Sequence, residues 1–309
     1  MKKSLGLMLL VLLAGLASCS VSKMSMEVDD LLVVVRPPER VKHYARDVVY
    51  AAPNGHKLTL DVSWPDGPGP FPMLVFIHGG SWELFSKEAT EGLARWMTNR
   101  GYAVFNINYR MVPEVMVREI VNDTMGAVIF AKDHAAEYNG DPKRVAVAGH
   151  SAGAHLATMI AVAAGDPYFT PSYQSTTGNN CRVLAVVAFS GVYDFVGRTP
   201  GFDEQKKWDR RFGATYEQNP EVWKKCSPIS YVRPDLPPSL VLWGEKDFLR
   251  PENENWVAAL QAAGASVQGS MVPRAEHLWP LWHWSKSAIE SYSIMLAFLD
   301  THLKLRGCQ

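Results

Sequence analysis

The sequence predicts an α/β fold: a mostly parallel, eight-stranded sheet with helices on both faces and a small helical cap inserted at residues 191–238. Three observations carry that prediction. Short apolar, β-branched runs alternate with segments of helical period from Met73 to Lys304, the rhythm of βα crossovers around a buried sheet. One such run, Val145 to Ala148, passes through Gly149-His150-Ser151-Ala152-Gly153 into an alanine-rich apolar stretch, which puts a serine on a strand-to-helix turn. The chain, at 309 residues, is long enough for one large α/β domain with a sizeable core.

Residues 1–18 read as a targeting segment, 19–41 as a tether and 42–309 as the folded domain. Lys2-Lys3 form a positive n-region, and Leu5 to Leu16 an apolar h-region too short to span a bilayer comfortably. Leu16-Ala17-Ser18-Cys19 is similar to a bacterial lipobox, in which Cys19 becomes the lipid-modified first residue of the mature protein. The expectation is an exported chain anchored to a membrane through Cys19, with Ser20 directing it to the outer membrane if the source is Gram-negative. An ordinary signal peptide and an uncleaved anchor are the alternatives.

In the domain, Arg46 to Tyr50 and Leu58 to Val62 read as strands, with Asn54-Gly55 at a hairpin turn between them. After the Pro/Gly loop from Pro65 to Pro70, strands are expected at Met73 to Ile77, Tyr102 to Ile107, Val145 to Ala148, Val183 to Phe189, Leu240 to Trp243 and Ser266 to Met271. Helical periods cover Lys87 to Arg100, Val117 to Tyr138, Ala152 to Ala164, Glu252 to Ala263 and Ser285 to Lys304. Residues 191–238 break the rhythm, with Trp208, Phe212, Tyr216 and Trp223 among many charges and no clear strand. So long a structureless loop is unusual in a compact domain unless it is functional. A helical cap supplying a substrate wall is expected; a surface excursion packed on its own aromatics is the alternative.

Lys+Arg and Asp+Glu are equal at 31 each, and no basic stripe is evident, so nothing asks for nucleic acid. Ten tryptophans and 47% hydrophobic residues exclude a disordered chain. There is no Cys-x-x-Cys or His-Glu-x-x-His spacing, and neither a metal nor an organic cofactor is expected. Cys181 and Cys226 are the candidate disulfide pair if the chain is exported, with Cys308 the candidate free thiol.

The chemistry gathers at the carboxyl ends of the strands. Gly149 and Gly153 relieve crowding at a turn that holds the Ser151 hydroxyl out, and the Ala152 amide opens the next helix. Strand Met73 to Ile77 runs into His78-Gly79-Gly80-Ser81-Trp82, whose glycines let backbone amides face a cavity. Strand Leu240 to Trp243 leads to Asp247, and strand Ser266 to Met271 to His277, on the same sheet edge. Nucleophile, acid and histidine thus follow the order Ser151, Asp247, His277. Asp194, after the preceding strand, is the rival acid. Glu245 is expected to point away, His283 to pack among aromatics, and His78, His150 and His155 to orient loops or pack. Arg110 and Asp123 are either a buried structural pair or an exposed one.

The His-Gly-Gly-x-Trp turn, Asn108-Tyr109-Arg110, Asp141-Pro142-x-Arg144 and Gly-His-Ser-Ala-Gly together resemble the α/β-hydrolase carboxylesterases, in the branch of hormone-sensitive-lipase-like and bacterial feruloyl-esterase-like enzymes, with kynurenine formamidases nearby. The resemblance runs from about Arg46 to Lys304. It implies Ser151 as nucleophile, His277 as general base and acid, Asp247 as orienting carboxylate, and the amides of Gly80, Ser81 and Ala152 as oxyanion donors. Ser81 stands where the lipase-like pattern has a third glycine, a change that a backbone donor survives and that sets Trp82 to narrow the acyl side.

The function expected is a serine carboxylesterase for small or aryl esters, with acetyl or feruloyl groups of polysaccharide as one substrate class. An arylformamidase or amidase is the enzymatic alternative, and a lipid-anchored binding module on the same fold the non-enzymatic one. Trp82, Trp208 and Phe212 are the candidate substrate-binding residues.

Overall fold

The computed structural model describes residues 37–197 and 202–304. All eight expected strands form: β1 (His43–Ala51), β2 (Leu58–Trp64), β3 (Phe71–Ile77), β4 (Ala103–Ile107), β5 (Gly140–His150), β6 (Ala185–Phe189), β7 (Ser239–Gly244) and β8 (Val267–Val272). They make one sheet in the order β1-β2-β4-β3-β5-β6-β7-β8. β2 runs antiparallel to both its neighbours, β1 and β4, and every later pairing is parallel. The β1–β2 hairpin turns at Pro53–Gly55, where Asn54 and Gly55 both take positive φ, as that Asn-Gly pair predicts.

Seven α-helices are described: α1 (Glu91–Thr98), α2 (Val117–Asp133), α3 (Ala152–Ala163), α4 (Phe202–Phe212), α5 (Pro220–Lys225), α6 (Arg250–Ala262) and α7 (Lys286–Leu299). Side chains alternate across each strand, so Leu74 and Phe76 enter one core and Val75 and Ile77 the other. The first core packs Leu93, Trp96 and Met97 of α1 with Tyr292, Met295 and Leu299 of α7. The second packs α2, α3 and α6 through residues such as Ile120, Leu156 and Trp256. Each fully buried large apolar side chain contributes about 1.5–3 kcal/mol, so two continuous cores hold the sheet rigid under its loops.

Helix ends differ from their sequence expectations where polar contacts intervene. Lys87–Thr90 is a separate 3-10 turn ahead of α1, because the Asn108 side chain accepts from the Lys87 amide and Asn106 donates to its carbonyl. The Lys87 ammonium is buried among Asp47, Asp61 and Glu88. α7 begins one residue after Ser285, whose hydroxyl accepts from the Ala288 amide, and ends in a π turn at Asp300–Lys304. β5 starts earlier than expected, at Gly140, which pairs with Phe71.

Among the described residues of 191–238, α4 and α5 are followed by a 3-10 turn at Pro228–Tyr231. The Cys181–Cys226 disulfide is not formed. Each is a separate buried thiol. Cys181 lies between carbonyls that bind the Lys132 ammonium, and Cys226 ends α5 with its carbonyl held by His155. Cys19 and Cys308 lie outside the described residues, and so does the segment from Lys2 to Leu16. Among the described residues, no helix is long and apolar enough to cross a membrane.

Candidate active site

The strand register sets the site. Gly149 of β5 pairs with Ile77 of β3, and His150 pairs with Phe189 of β6. The residues that follow these strands therefore emerge side by side at the carboxyl edge, next to the loops after β7 and β8.

Ser151 occupies φ 55 and ψ −117, a conformation L-residues avoid, and it is held there from both sides. Its amide donates to the Phe189 carbonyl at 2.8 Å, and its carbonyl accepts from the His155 amide. A Cβ on Gly149 would lie 2.2 Å from the Gly153 carbonyl oxygen, and one on Gly153 would lie 2.1 Å from the Ile77 carbonyl oxygen. Both positions are closed to any larger residue, which is why glycine flanks the serine two places away on each side.

His277 bridges the serine and the acid. The Ser151 hydroxyl donates to His277 Nε2 at 3.0 Å, and His277 Nδ1–H donates to Asp247, with 3.0 Å to Oδ1 and 3.1 Å to Oδ2; these proton positions follow from the hydrogen-bond network. Burial acts to raise the Asp247 carboxyl. Hydrogen bonds from His277, Ser190 and the Leu249 amide outweigh it and hold the group below the usual carboxylate range. Asp194, the rival acid, instead accepts from the amides of Val196 and Gly197 in its own turn. Glu245 points away and accepts from the Arg274 amide.

The turn after β3 sits against the elbow: a Cβ on Gly79 would come within 3.2 Å of Ser151 Cβ. Its carbonyls are tied down. Tyr109 donates to the oxygens of His78 and Gly79, Glu83 and Leu84 donate to Gly80, and Val112 donates to Trp82. With the carbonyls held, Gly80, Ser81 and Trp82 all have positive φ, and no hydrogen bond among the described residues uses the amides of Gly80, Ser81 or Ala152. Ser81 thus adopts the left-handed backbone that a third glycine would take freely, and its amide is kept. Arg110, buried against Asp123 through paired bonds of 2.8 and 2.7 Å, anchors the segment whose Tyr109 ring stacks on His78. The pair is therefore buried.

Three histidines frame the site without sharing the bridge. His150 donates to the His277 carbonyl at 2.9 Å, and burial, reinforced by the nearby His277 charge, pushes its imidazole down to about 3. His155 accepts from the Trp82 indole N–H and donates to the Cys226 carbonyl; burial lowers it to about 4. His78 is lowered to about 4 by burial.

Trp82, Trp208 and Phe212 are almost fully buried, packed with Phe195 at centroid distances of 5.1–5.9 Å. They form the joint between the cap and the turn after β3. Arg211 of α4 lies over the rings of Trp82 and Trp208 and donates to Glu83 at 3.2 Å. Two residues with no sequence signal also join the site. Ser190, with positive φ, hydrogen-bonds Asp247, and Phe248 stands exposed against the His277 ring at 4.6 Å. A serine after a strand and a phenylalanine in a loop are too common to be singled out from sequence.

The BD-FAE family model matches residues 60–257, well over half of the chain and the stretch that holds the turn after β3, the elbow and Asp247. The chain belongs to the BD-FAE family. This BD-FAE chain is 33% identical over 256 residues to esterase LipQ of Mycobacterium tuberculosis, a match covering 79% of it and 59% of LipQ. It is 26% identical over 234 residues to a probable isoprenylcysteine alpha-carbonyl methylesterase of Arabidopsis thaliana, covering 72% of it and 48% of that protein. It thus spans less than two thirds of the length of these curated relatives. Its fold is the α/β-hydrolase fold, shared with a truncated carbohydrate esterase from gut microbiota (TM-score 0.74, 22% identity, 86% of this chain and 99% of that one). Esterase 2 of Thermogutta terrifontis also shares it (TM-score 0.70, 22% identity, 88% and 97%).

Proposed function

We propose that this chain is a serine carboxylesterase acting on small or aryl carboxylic esters through an acyl-serine intermediate. The observation that carries the reading is the His277 bridge, 3.0 Å from Ser151 Oγ and 3.0 Å from Asp247 Oδ1, beside three unengaged amides. In the proposed cycle Ser151 Oγ attacks the ester carbonyl carbon while its proton passes to His277 Nε2. The amides of Gly80, Ser81 and Ala152 stabilise the oxyanion, and the α3 N-terminus adds a positive dipole end there. His277 returns the proton to the leaving alcohol, then takes one from the water that attacks the acyl carbon, and Ser151 is regenerated. Asp247 holds the imidazole in its Nδ1–H form throughout.

Relatives named as esterases support the reading, as does the Thermogutta terrifontis esterase 2 structure described as phosphorylated by paraoxon. Acetyl or feruloyl esters of polysaccharide stay in the proposed substrate set on the resemblance of the sequence motifs to feruloyl-esterase-like enzymes. The deciding experiment is hydrolysis of p-nitrophenyl esters from acetate to decanoate, with paraoxon inactivation, by the wild type and Ser151→Ala. Turnover that falls by about 10⁶-fold in the variant is expected. Equal rates in the two proteins would overturn the assignment.

We further propose that the chain is exported and lipid-anchored at Cys19, on the support of Lys2-Lys3, the apolar run and Leu16-Ala17-Ser18-Cys19. Cys19→Ser is expected to release the protein from membranes with its kinetics unchanged, and continued membrane retention would contradict it.

A further inference from the structure

Phe248 is 73% exposed, while the other large exposed hydrophobic residues among those described range from 36% to 45%. An apolar ring left so far in water is unusual in a loop whose neighbours are packed, since aromatic side chains ordinarily bury most of their surface. The backbone on either side of it is nonetheless fixed. The amide of the preceding residue, Asp247, donates to the Gly244 carbonyl at 3.2 Å, and its carboxylate accepts from the Leu249 amide at 2.8 Å. The following residue, Leu249, is buried in the core, and α6 starts immediately after it. The Phe248 ring is tilted 46° to the His277 imidazole with centroids 4.6 Å apart, so it lies beside the proton-transferring ring. Leu278, next to His277 on the other loop, is another large apolar side chain more than a third exposed.

The chemistry decides what meets this ring. In acyl transfer the leaving oxygen must approach His277 Nε2 to take its proton, whereas the carbonyl oxygen turns toward the amides of Gly80, Ser81 and Ala152. The group attached to the leaving oxygen therefore passes along His277, while the acyl chain is carried on the other side of the reacting carbon. We propose that Phe248 is a specificity-determining residue that packs on the alcohol portion of the ester and favours substrates whose alcohol is bulky and apolar or aromatic. The inference rests on the esterase reading and concerns the alcohol side alone.

The ring also shields His277, and a mere shield would affect every substrate alike. The test separates the two roles. Wild type, Phe248→Ala and Phe248→Trp are assayed on methyl, benzyl and 1-naphthyl acetate, and on a p-nitrophenyl series that varies only the acyl chain. Each variant is compared with wild type on the same substrate, so intrinsic ester reactivity cancels. Phe248→Ala is expected to lose about tenfold in kcat/KM on benzyl and 1-naphthyl acetate, roughly 1.4 kcal/mol, and less than twofold on methyl acetate. The ratio of variant to wild type should stay flat across acyl length, and Phe248→Trp should restore the bulky alcohols. An equal loss on all three acetates, together with a shifted pH–rate profile, would assign the ring to shielding and overturn the proposal. No loss on any would overturn it too. Wild type that hydrolyses none of these esters would instead overturn the esterase reading, and the proposal with it.

Discussion

The Ser190 hydroxyl donates a hydrogen bond to Oδ2 of Asp247, the carboxylate that also receives His277 Nδ1–H. Ser190 is fully buried, and its amide donates to Leu242 of the neighbouring strand, so the hydroxyl is aimed by the sheet itself. It is a positioning residue: it acts on the histidine through the carboxylate. Ser190→Ala should lower kcat by about 10- to 100-fold, the range for a hydrogen bond to a charged group, with KM little changed. The acid limb of the pH–rate profile should move upward, because Asp247 loses a donor that favours its charged form. An unchanged acid limb would show that the hydroxyl does not act on the carboxylate.

The two aspartates make a paired prediction. Asp247→Asn keeps the shape but presents the wrong hydrogen-bonding group to His277 Nδ1–H, and turnover should drop about 10⁴-fold. Asp194→Asn alters only a local turn around Val196 and Gly197 and should stay within a few-fold of wild type. Steady-state kinetics on one p-nitrophenyl ester decides between them, and a near-normal rate for Asp247→Asn would exclude it as the acid.

Gly153→Ala should destabilise the whole domain rather than the chemistry alone. The added Cβ would meet the Ile77 carbonyl oxygen at 2.1 Å, and both partners are backbone held in the sheet or in α3. A cost of at least ~1–3 kcal/mol is expected from such overpacking, read as a lower urea midpoint. A midpoint equal to wild type would mean the elbow has room that the geometry denies it.

Stability should fall with acidification through the buried histidines. Burial, together with the His277 charge for His150, lowers His78, His150 and His155 from 6.5 to about 4, 3 and 4. Unfolding frees them, so between about pH 4 and pH 6.5 the unfolded chain binds more protons than the folded one, and stability rises with pH across that window. From pH 7 to pH 5 the loss should approach about 2 kcal/mol per histidine. The depressed Asp247 adds stability that is present above its unfolded value, near pH 4, and lost only as pH falls through its folded value. Urea unfolding at pH 7, 6 and 5 tests this; identical free energies at the three values would mean the histidines are protonated in the folded protein.

Much of this was legible because it is local. Each strand is a short apolar run, and Gly149 and Gly153 announce the elbow from five consecutive residues. The order Ser151, Asp247, His277 follows from which loops a parallel sheet brings to one edge. What was not legible depends on partners distant in sequence. Ser190 matters only because β6 lies beside β7, Phe248 only because the loop after β7 brings it against the His277 ring, and the buried state of Arg110 and Asp123 only because α2 docks under the strand end. Whether Cys181 and Cys226 pair was open in the sequence for the same reason, since counting cysteines says nothing of where their side chains are packed; in the fold they are separate thiols. Trp82, Trp208 and Phe212 stand out in the sequence as aromatics, but that they close on one another is a property of the assembled joint.

That joint makes the cap inseparable from the chemistry below it. Trp82 belongs both to the turn packed against Ser151 and to the aromatic cluster under α4, and Arg211 ties the same turn to α4 through Glu83. An insertion at this place in the chain is therefore no interchangeable accessory. A chimera that exchanged residues 191–238 for a relative's would leave Trp82 and Glu83 facing strangers, and the turn beside Ser151 would loosen although none of its own residues had been touched. The turn after β3 and the segment under α4 are thus one packed unit, although more than a hundred residues of sequence separate them.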